Sequence, residues 1–526
     1  MSFELRDRDL IGRIGRIRTK SGEVETPAFM PVINPLLQSL APSRMRREFG
    51  CDIVITNSYI IRKQFSDVPN LNVHRLLDYD GVVMTDSGAY QILVYGGVEV
   101  TQPEIIEFQK MIGSDIAVIL DIPTGWDVPR SRVEYTVEET LRRAREALPL
   151  VKDSEALWVG PVQGGRHLDL VAKSAKLIAE MPYSIHALGS PTEVMERYMY
   201  PVLVDMVMTA KLNLPTDRPL HLFGAGHPMI FAMSVAMGCD LFDSASYVLY
   251  AKDERYLTVR GTLQLQGLQY LPCSCPVCRG RSAQDLRDLP RGERHRLLTE
   301  HNLYTTMSEI SVVKQSIVEG SLWDLVEVRA RGHPQMTAAL KRLSTYRDKL
   351  EELSPGFKGR GVFYFDYNSL GKPQITRYKT KLKTNYGRPK GKTTLLLLPA
   401  PATKPYGVYP GFIELKETLG EKLRNAHVCF LAAPYGVVPE YLSETYPLSQ
   451  YEIAEPLDSE TLRFTSENVL EYLRCTTHER VLHVSCGSEL DEAVEDVLRN
   501  LGDSYHAIHV GSPWGDETAE ALIRIM

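Results

Sequence analysis

Four side chains in one part of the sequence have the types and spacing of a metal site. Cys273, Cys275 and Cys278 form a C-x-C-x2-C pattern, and His301 follows in TEHNLYTTM, a segment with helical patterning. Thiolates and imidazole suit tetrahedral Zn²⁺, and a closed Cys3His shell leaves no position open for a reactive water. Chance grouping is a poor alternative, because the other cysteines are scattered along the chain. We therefore predict one structural zinc ion held by these four residues.

A second set of reactive side chains directly follows apolar runs. Asp86 follows GVVMT, Asp121 follows IAVIL, and Asp243 follows DLF. Two carboxylates without a catalytic metal predict one nucleophile and one general acid/base, the arrangement that breaks a bond at a sugar's anomeric carbon. The same chemistry suits an N-glycosidic bond, where a carboxylate holds ribose C1′ while one base leaves and another enters. Structural turn residues and helix caps remain the alternative interpretation.

The predicted strands must position these side chains. Short apolar runs alternate with helical patterns between about residues 27 and 264, which is typical of parallel α/β folds. The runs, in chain order, are AFMPV, DIVIT, GVVMT, IAVIL, ALWVG, YSIHAL, PLHLF and DLF. This number of strands favours a (β/α)8 TIM barrel over an open doubly wound sheet. Barrel enzymes carry their chemistry at the carboxyl ends of the strands, so the aspartates are expected on one rim.

The remaining sequence is predicted to form separate parts. We place the barrel domain at residues 1–330, with an inserted zinc subdomain at about 265–310. A linker domain that includes a basic arm is placed at residues 331–394. Apolar runs and helical patterns alternate again at residues 395–526, which predicts a smaller α/β or α+β C-terminal domain.

The composition indicates a folded protein without a membrane segment. Of its 526 residues 44% are apolar and 24% are charged, and no apolar stretch is long enough to cross a bilayer. The N-terminus lacks the pattern of a secretory signal, so a cytoplasmic location is expected. A net charge of −6 does not by itself indicate a nucleic acid-binding protein, so any RNA contact must come from local basic patches.

One such patch is the basic arm, RYKTKLKTNYGRPKGK at residues 377–392. It contains seven basic residues and no acidic one. One interpretation is that it neutralises phosphates while Tyr378 and Tyr386 stack on an exposed base. The other is a solvated basic loop, and the sequence leaves both open.

The residues around the rim aspartates resemble one known family. In chain order the motifs are MTDSGAYQ, VILDIPTG, VGPVQGG, HALGSP and LFDSASY, followed by the cysteine pattern and a histidine. In order and spacing they resemble archaeal tRNA-guanine transglycosylases over about residues 1–330, and PYGVVPEYLSETYPLSQ extends the likeness downstream. The resemblance implies a TIM-barrel pentosyltransferase that replaces a D-loop guanine of tRNA (position 15) with 7-cyano-7-deazaguanine (preQ0), the first step toward archaeosine, through a covalent aspartyl-ribose intermediate.

The resemblance also implies roles for the rim carboxylates. Asp243 resembles the nucleophile that attacks ribose C1′, and Asp86 resembles the general acid/base beside the base. These two roles remain interchangeable, because a sequence contains no distances. Asp121 resembles the residue that reads the guanine-like edge, where a carboxylate accepts two N–H bonds.

Four further positions are implied to bind the base. Gln163 is expected to donate to the base carbonyl, and Tyr90 is expected to stack on the ring. The backbone at Ala187 and Leu188 resembles the wall that reads the substituent at position seven. Taken singly, Gln163 and Tyr90 would more often be ordinary packing residues.

The expected partners are tRNA, 7-cyano-7-deazaguanine and a second copy of the chain. The family resemblance implies a homodimer with the zinc region near the contact. The sequence ends after HVGSPWGDETAEALIRIM, where longer archaeal members continue into an RNA-binding PUA domain. We therefore expect the form that lacks this domain. Either a separate PUA-domain protein supplies its surface, or the basic arm and the barrel rim suffice.

Two rival functions are kept. A non-catalytic tRNA-binding paralogue should lack one aspartate, but Asp86 and Asp243 both stand in intact motifs. An archaeosine-forming amidotransferase shares parts of this architecture, and KPYGVYP at residues 404–410 is faintly similar to its signature.

Overall fold

The computed structural model of the protein describes residues 3–89 and 100–526, which divide into two compact units. The first unit ends at Leu343 and the second begins at Ser344. Compactness does not define a functional domain, so the division at residues 330 and 394 stays a prediction. Across the described residues, no helix combines the length and the apolar character needed to cross a membrane.

The first unit opens with an antiparallel sheet that leads into a closed barrel of parallel strands. The sheet consists of β1 (Phe3–Asp9), β2 (Gly12–Thr19) and β3 (Gly22–Thr26). The barrel consists of β4 (Ala28–Ile33), β5 (Ile53–Asn57), β6 (Val82–Asp86), β7 (Ile116–Val118), β8 (Leu157–Val162), β9 (Ile185–Leu188), β10 (Leu220–Leu222) and β11 (Leu241–Ser244). Each strand pairs with the next in the chain, and β11 closes on β4. The TIM-barrel prediction is confirmed.

Apolar side chains fill the barrel lumen. Met30, Ile55, Met84, Val159 and Leu241 are buried together in one cluster. Successive residues of a strand point to opposite faces, so each strand contributes one set of side chains to this interior and the other set to the surrounding helices. The packed lumen leaves polar chemistry to the strand ends.

Helices with local start signals surround the barrel. Asn57 caps one by accepting a hydrogen bond from the Ile60 N–H (2.9 Å). Thr101 and Glu104 form a capping box at the start of another. The helices of this part are Pro42–Phe49, Ser58–Phe65, Val73–Leu77, Gln102–Met111, Arg130–Val151, Leu168–Ala179, Thr192–Glu196, Tyr200–Lys211, Phe231–Ala236 and Ser246–Lys252.

A small subdomain with the cysteine pattern follows the last barrel strand. It contains the hairpin of β12 (Arg255–Thr258) and β13 (Gly261–Gln264), a short helix and a long one. The helices from here to the end of the unit are Ala283–Asp288, Arg291–Glu319, Leu322–Ala330 and Pro334–Ser344. Asn302 on the long helix donates from Nδ2 to the carbonyl of Tyr247 (3.1 Å), which links the subdomain to the helix that follows β11.

The second unit contains a mixed sheet covered by helices. Its strands are β14 (Val362–Tyr364), β15 (Thr394–Pro399), β16 (Ala426–Ala432), β17 (Gly436–Pro439), β18 (Tyr451–Ile453), β19 (Arg480–Ser485) and β20 (Tyr505–His509). The sheet order is β17-β16-β15-β19-β20 with β17 antiparallel, and β14 pairs separately with β18. The helices are Arg347–Leu353, Pro373–Thr384, Pro410–Leu419, Ser459–Cys475, Glu489–Leu498 and Asp516–Ile525. The predicted smaller α/β part is confirmed.

Short 3-10 helices complete the described elements. They are Pro228–Ile230, Leu265–Gly267, Tyr367–Gly371, Tyr406–Val408, Gly420–Asn425, Glu440–Leu442 and Arg499–Ser504.

The first half of the basic arm is a packed helix. Tyr378 is buried and donates its hydroxyl to the Val437 carbonyl (2.5 Å). Arg377 pairs with Glu351 (2.6 Å), and the Tyr386 hydroxyl lies 3.0 Å from His427 Nε2. The idea that Tyr378 stacks on an exposed base is therefore wrong, because the helix buries its ring against the sheet.

Candidate active site

A cavity of about 1690 Å³ opens at the carboxyl ends of the barrel strands. Its lining includes Asp86, Asp121, Gln163 and Asp243. Asp86 is the last residue of β6, and Asp243 is the second-last residue of β11. Asp121 follows β7, and Gln163 follows β8. The fold thus brings together four side chains that are far apart in the sequence.

Asp86 lies in a crowded acidic environment. Burial, followed by the charges of Asp121 and Asp243, raises the pKa of Asp86 to about 7, although backbone N–H groups of Gly88 and Ser87 oppose the shift. Its Oδ2 accepts a hydrogen bond from Asn57 Nδ2 (3.1 Å). Near neutral pH, a large share of this carboxyl therefore carries a proton that it can donate.

Asp243 lies among hydrogen-bond donors. Its Oδ1 is 2.8 Å from His221 Nε2 and accepts the backbone N–H of Gly224 (2.9 Å). The side chain keeps 15% of its surface exposed in the cavity wall. Two donors on one oxygen hold the carboxylate in one orientation, and a carboxylate held in this way is able to act as a nucleophile.

Asp121 and Gln163 form one buried network. Gln163 Nε2 donates to Asp121 Oδ2 (2.6 Å), and its Oε1 accepts from the Thr124 N–H (3.1 Å) and the Ser190 hydroxyl (3.0 Å). Burial raises the pKa of Asp121 to about 6, although the hydrogen bond from Gln163 opposes the shift. The network orients the Gln163 amide, and among the described residues Asp121 is the one acceptor found for its Nε2.

At the end of β9, the residues that line the cavity are not the pair named in the sequence analysis. Ala187 belongs to the apolar lumen and Leu188 is buried, whereas Gly189 and Ser190 line the cavity. A Cβ on Gly189 would lie 2.2 Å from Gln163 Nε2, so glycine lets the amide cross the backbone closely. A role for the backbone at Ala187 and Leu188 stays a prediction, and Tyr90 lies outside the described residues.

Sequence reasoning missed two polar residues that contact the carboxylates, Asn57 at Asp86 and His221 at Asp243, and a third, Ser190, that donates to the Gln163 amide oxygen. No motif singled out Asn57 or Ser190, and His221 stands within the apolar run PLHLF. A polar side chain at an inward position of a buried strand was an available signal in the last case.

The four predicted metal ligands also converge. Their ligand atoms all lie within 4.8 Å of one another. Cys275 and Cys278 have their Sγ atoms 3.6 Å apart, and His301 Nδ1 lies 3.4 Å from Cys278 Sγ. Tetrahedral zinc with Zn–S bonds of about 2.3 Å requires S···S separations of about 3.8 Å, so the donor set fits such an ion.

His301 is oriented for this task. Its Nε2 is 3.0 Å from the Leu257 carbonyl, so this nitrogen carries the proton and leaves Nδ1 bare toward the thiols. The ring also stacks on Tyr256, with centroids 3.6 Å apart. The cluster is therefore able to bind a metal ion.

The cavity and the metal cluster lie inside the part of the chain that matches a family model. The model described as queuine tRNA-ribosyltransferase matches residues 8–335. This chain belongs to that family. A second model, described as a domain of unknown function, matches residues 375–526.

Curated relatives of this family member are named tRNA-guanine(15) transglycosylase. The protein of Aeropyrum pernix is 51% identical over 382 residues, which is 72% of this chain and 74% of the relative. The protein of Sulfolobus acidocaldarius is 41% identical over 490 residues, or 92% and 95% of the two chains. That of Methanocaldococcus jannaschii is 42% identical over 468 residues, or 88% and 70%. The predicted family and enzyme class, a pentosyltransferase, are confirmed.

Proposed function

We propose that this chain exchanges the guanine at position 15 of tRNA for 7-cyano-7-deazaguanine, in archaeosine biosynthesis, through an ester between Asp243 and ribose C1′. One observation carries the assignment of roles. Asp86 has a pKa of about 7 among other carboxylates, whereas Asp243 accepts two hydrogen bonds on one oxygen. Carboxylates in such different surroundings divide naturally into acid and nucleophile.

In the first half-reaction, Asp243 attacks ribose C1′ and the bond from C1′ to the guanine nitrogen breaks. The bonding electron pair stays on the base, and protonated Asp86 donates its proton to it. Guanine leaves neutral, Asp86 becomes a carboxylate, and the ribose is held as an ester of Asp243.

In the second half-reaction, the incoming base loses its ring N–H proton to the Asp86 carboxylate. Its nitrogen attacks C1′ while the ester C–O bond breaks and returns the electron pair to Asp243. The enzyme regains its initial protonation state, so exchange needs no cofactor turnover.

Asp121 and Gln163 support recognition of the base. A carboxylate accepts two N–H groups of a guanine-like edge, and the free Nε2–H of Gln163 can donate to the adjacent carbonyl. Because Gln163 already bonds Asp121 (2.6 Å), the two side chains form one preorganised surface. Both guanine and its deaza analogue present this edge.

The size and the outer lining of the cavity support an RNA substrate. A volume of about 1690 Å³ exceeds the roughly 300–1,000 Å³ of ordinary small-ligand pockets. Lys252, Arg255 and Arg291 are among its lining residues. Cations placed there can neutralise phosphates beside a flipped nucleotide.

We further propose that the Cys3His cluster holds Zn²⁺ in a structural role. Four protein ligands would close the shell, so the ion would supply folding free energy rather than a reactive water. A homodimer, on the basis of the family resemblance, and a cytoplasmic location complete the proposal.

The deciding experiment incubates the enzyme with tRNA and 7-cyano-7-deazaguanine and measures three products. Base exchange together with a tRNA-protein adduct on denaturing gels, mapped by peptide analysis to Asp243, is the expected result. Nitrile conversion in tRNA already carrying the base would support the amidotransferase instead. Binding of tRNA without either reaction would indicate the non-catalytic paralogue.

A further inference from the structure

His221 is a buried residue of β10 that faces the nucleophile candidate. It is fully buried, and its Nε2 lies 2.8 Å from Asp243 Oδ1. Its register partners are Ala187 on β9 and Leu241 on β11, which both belong to the apolar lumen. The ring of Phe223 packs edge-on against the imidazole, with centroids 4.6 Å apart. The imidazole therefore lies between the apolar interior of the barrel and the polar rim.

The other ring nitrogen determines the proton's position. Among the described residues, His221 Nδ1 has no hydrogen-bond partner. A proton on Nδ1 would leave a buried donor unsatisfied, which is costly, whereas a bare Nδ1 only leaves a weak acceptor unused. The neutral tautomer with its proton on Nε2 satisfies the contact to Asp243. His221 is thus a hydrogen-bond donor to the carboxylate and not a proton shuttle.

The two oxygens of Asp243 are consequently unequal. Oδ1 accepts both His221 Nε2–H and Gly224 N–H. Within residues 3–89 and 100–526, no hydrogen bond to Oδ2 is found. Donors reduce the basicity of the oxygen that they occupy, so the electron pair of Oδ2 is the more available one.

We infer that His221 is a positioning residue that holds Oδ1 of Asp243 and thereby selects Oδ2 as the atom that bonds to ribose C1′. This inference rests on the proposed function. In the ester, Oδ1 becomes the carbonyl oxygen and keeps both donors. When the ester C–O bond breaks, negative charge returns to the carboxylate, and the same donors stabilise it as the leaving group.

The test compares two donor-free variants with one that keeps a donor. His221→Phe and His221→Leu fill the site with apolar groups, while His221→Gln can place an amide N–H near the position of Nε2. Loss of one hydrogen bond to a charged group predicts an exchange kcat about 10- to 100-fold lower in the first two. We expect a loss of less than about tenfold in His221→Gln. KM for tRNA should stay within about twofold in all three, since a donor buried behind Asp243 touches no RNA.

The split between kcat and KM, together with the recovery of kcat in His221→Gln, is a readout that a purely structural role would not move. Zinc content and Tm of the variants check that the fold is retained.

A measurement on the wild-type enzyme tests the inference without relying on the folding of a variant. Nitrogen NMR of histidine-labelled protein, assigned with His221→Phe, should show Nε2 protonated and Nδ1 bare at pH 7. An imidazolium or the opposite tautomer would overturn the inference. So would a wild-type kcat in His221→Phe while the adduct still maps to Asp243. An adduct that maps to Asp86 in the wild type would instead overturn the assignment of the nucleophile.

Discussion

Asp86 and Asp243 are the same residue type at equivalent ends of barrel strands, yet their surroundings differ sharply. Asp86 is buried near other carboxylates, and its pKa rises to about 7 although Asn57 and the backbone N–H groups of Gly88 and Ser87 donate to it. Asp243 receives an imidazole and a backbone N–H on the same oxygen. The difference comes from the neighbouring strands. Asn57 of β5 and Asp121 after β7 act on Asp86, whereas His221 of β10 contacts Asp243. Chemical role is thus a property of the neighbourhood and not of the residue type.

The largest effect should follow removal of the nucleophile. Asp243→Asn cannot form the ester, so exchange should fall by at least about 10⁴-fold and the tRNA adduct should disappear. Denaturing gels and incorporation of labelled base measure the two losses. Zinc content and Tm should match the wild type, because the change keeps shape and the donors. An adduct that persists in Asp243→Asn would reverse the two roles.

The next effect should follow removal of the acid. Asp86→Asn should slow exchange by about 10²- to 10⁴-fold, the usual contribution of general acid/base catalysis. In the wild type, the rate of the first half-reaction should fall as pH rises through about 7, because the raised pKa of Asp86 is the point at which the acid loses its proton. This basic limb should be absent in Asp86→Asn. A limb that is unchanged in the variant would assign it to another group.

A smaller effect should separate base recognition from chemistry. Asp121→Asn loses a charged acceptor at the base edge, so binding of 7-cyano-7-deazaguanine should weaken by about 10- to 100-fold. Binding of tRNA should change far less, since Asp121 contacts no phosphate. Calorimetry with each ligand makes the comparison, and Asp127→Asn, at an exposed rim aspartate, serves as control. Equal losses for both ligands would contradict a base-reading role.

The smallest effect on the chemistry should come from the metal cluster. Cys275→Ala should lose the ion and lower Tm by roughly 5 °C or more, because a structural site contributes to folding free energy. The cluster packs with Ala251, on the helix after β11, so adduct formation at Asp243 should suffer more than base binding at Asp121. Elemental analysis and thermal unfolding test both points, with Cys475→Ala, an exposed cysteine outside the cluster, as control. Metal-free wild-type protein of undiminished Tm would contradict the site.

Much of the fold and part of the site could be predicted from the sequence. Apolar runs spaced by helical patterns are enough to indicate the barrel, because strand and helix periodicities are local. The cysteine pattern is enough to predict that the three thiols lie close together, because all three stand within six residues of the chain. Tyr378 shows where such reasoning ends. Basic neighbours made it look like an exposed aromatic, but its burial depends on a sheet strand about sixty residues later, where Val437 accepts its hydroxyl.

The sequence by itself therefore determined which residues could do chemistry: the aspartates that follow predicted strands, the glutamine that follows the fifth apolar run, and the four metal ligands. Only the tertiary structure decided what surrounds each rim residue. The proton on His221, the two donors on Asp243 Oδ1 and the carboxylates around Asp86 all come from strands that are distant in the chain. The physical reason is that ionisation and hydrogen bonding depend on distances of a few ångströms across the barrel, which no local pattern contains.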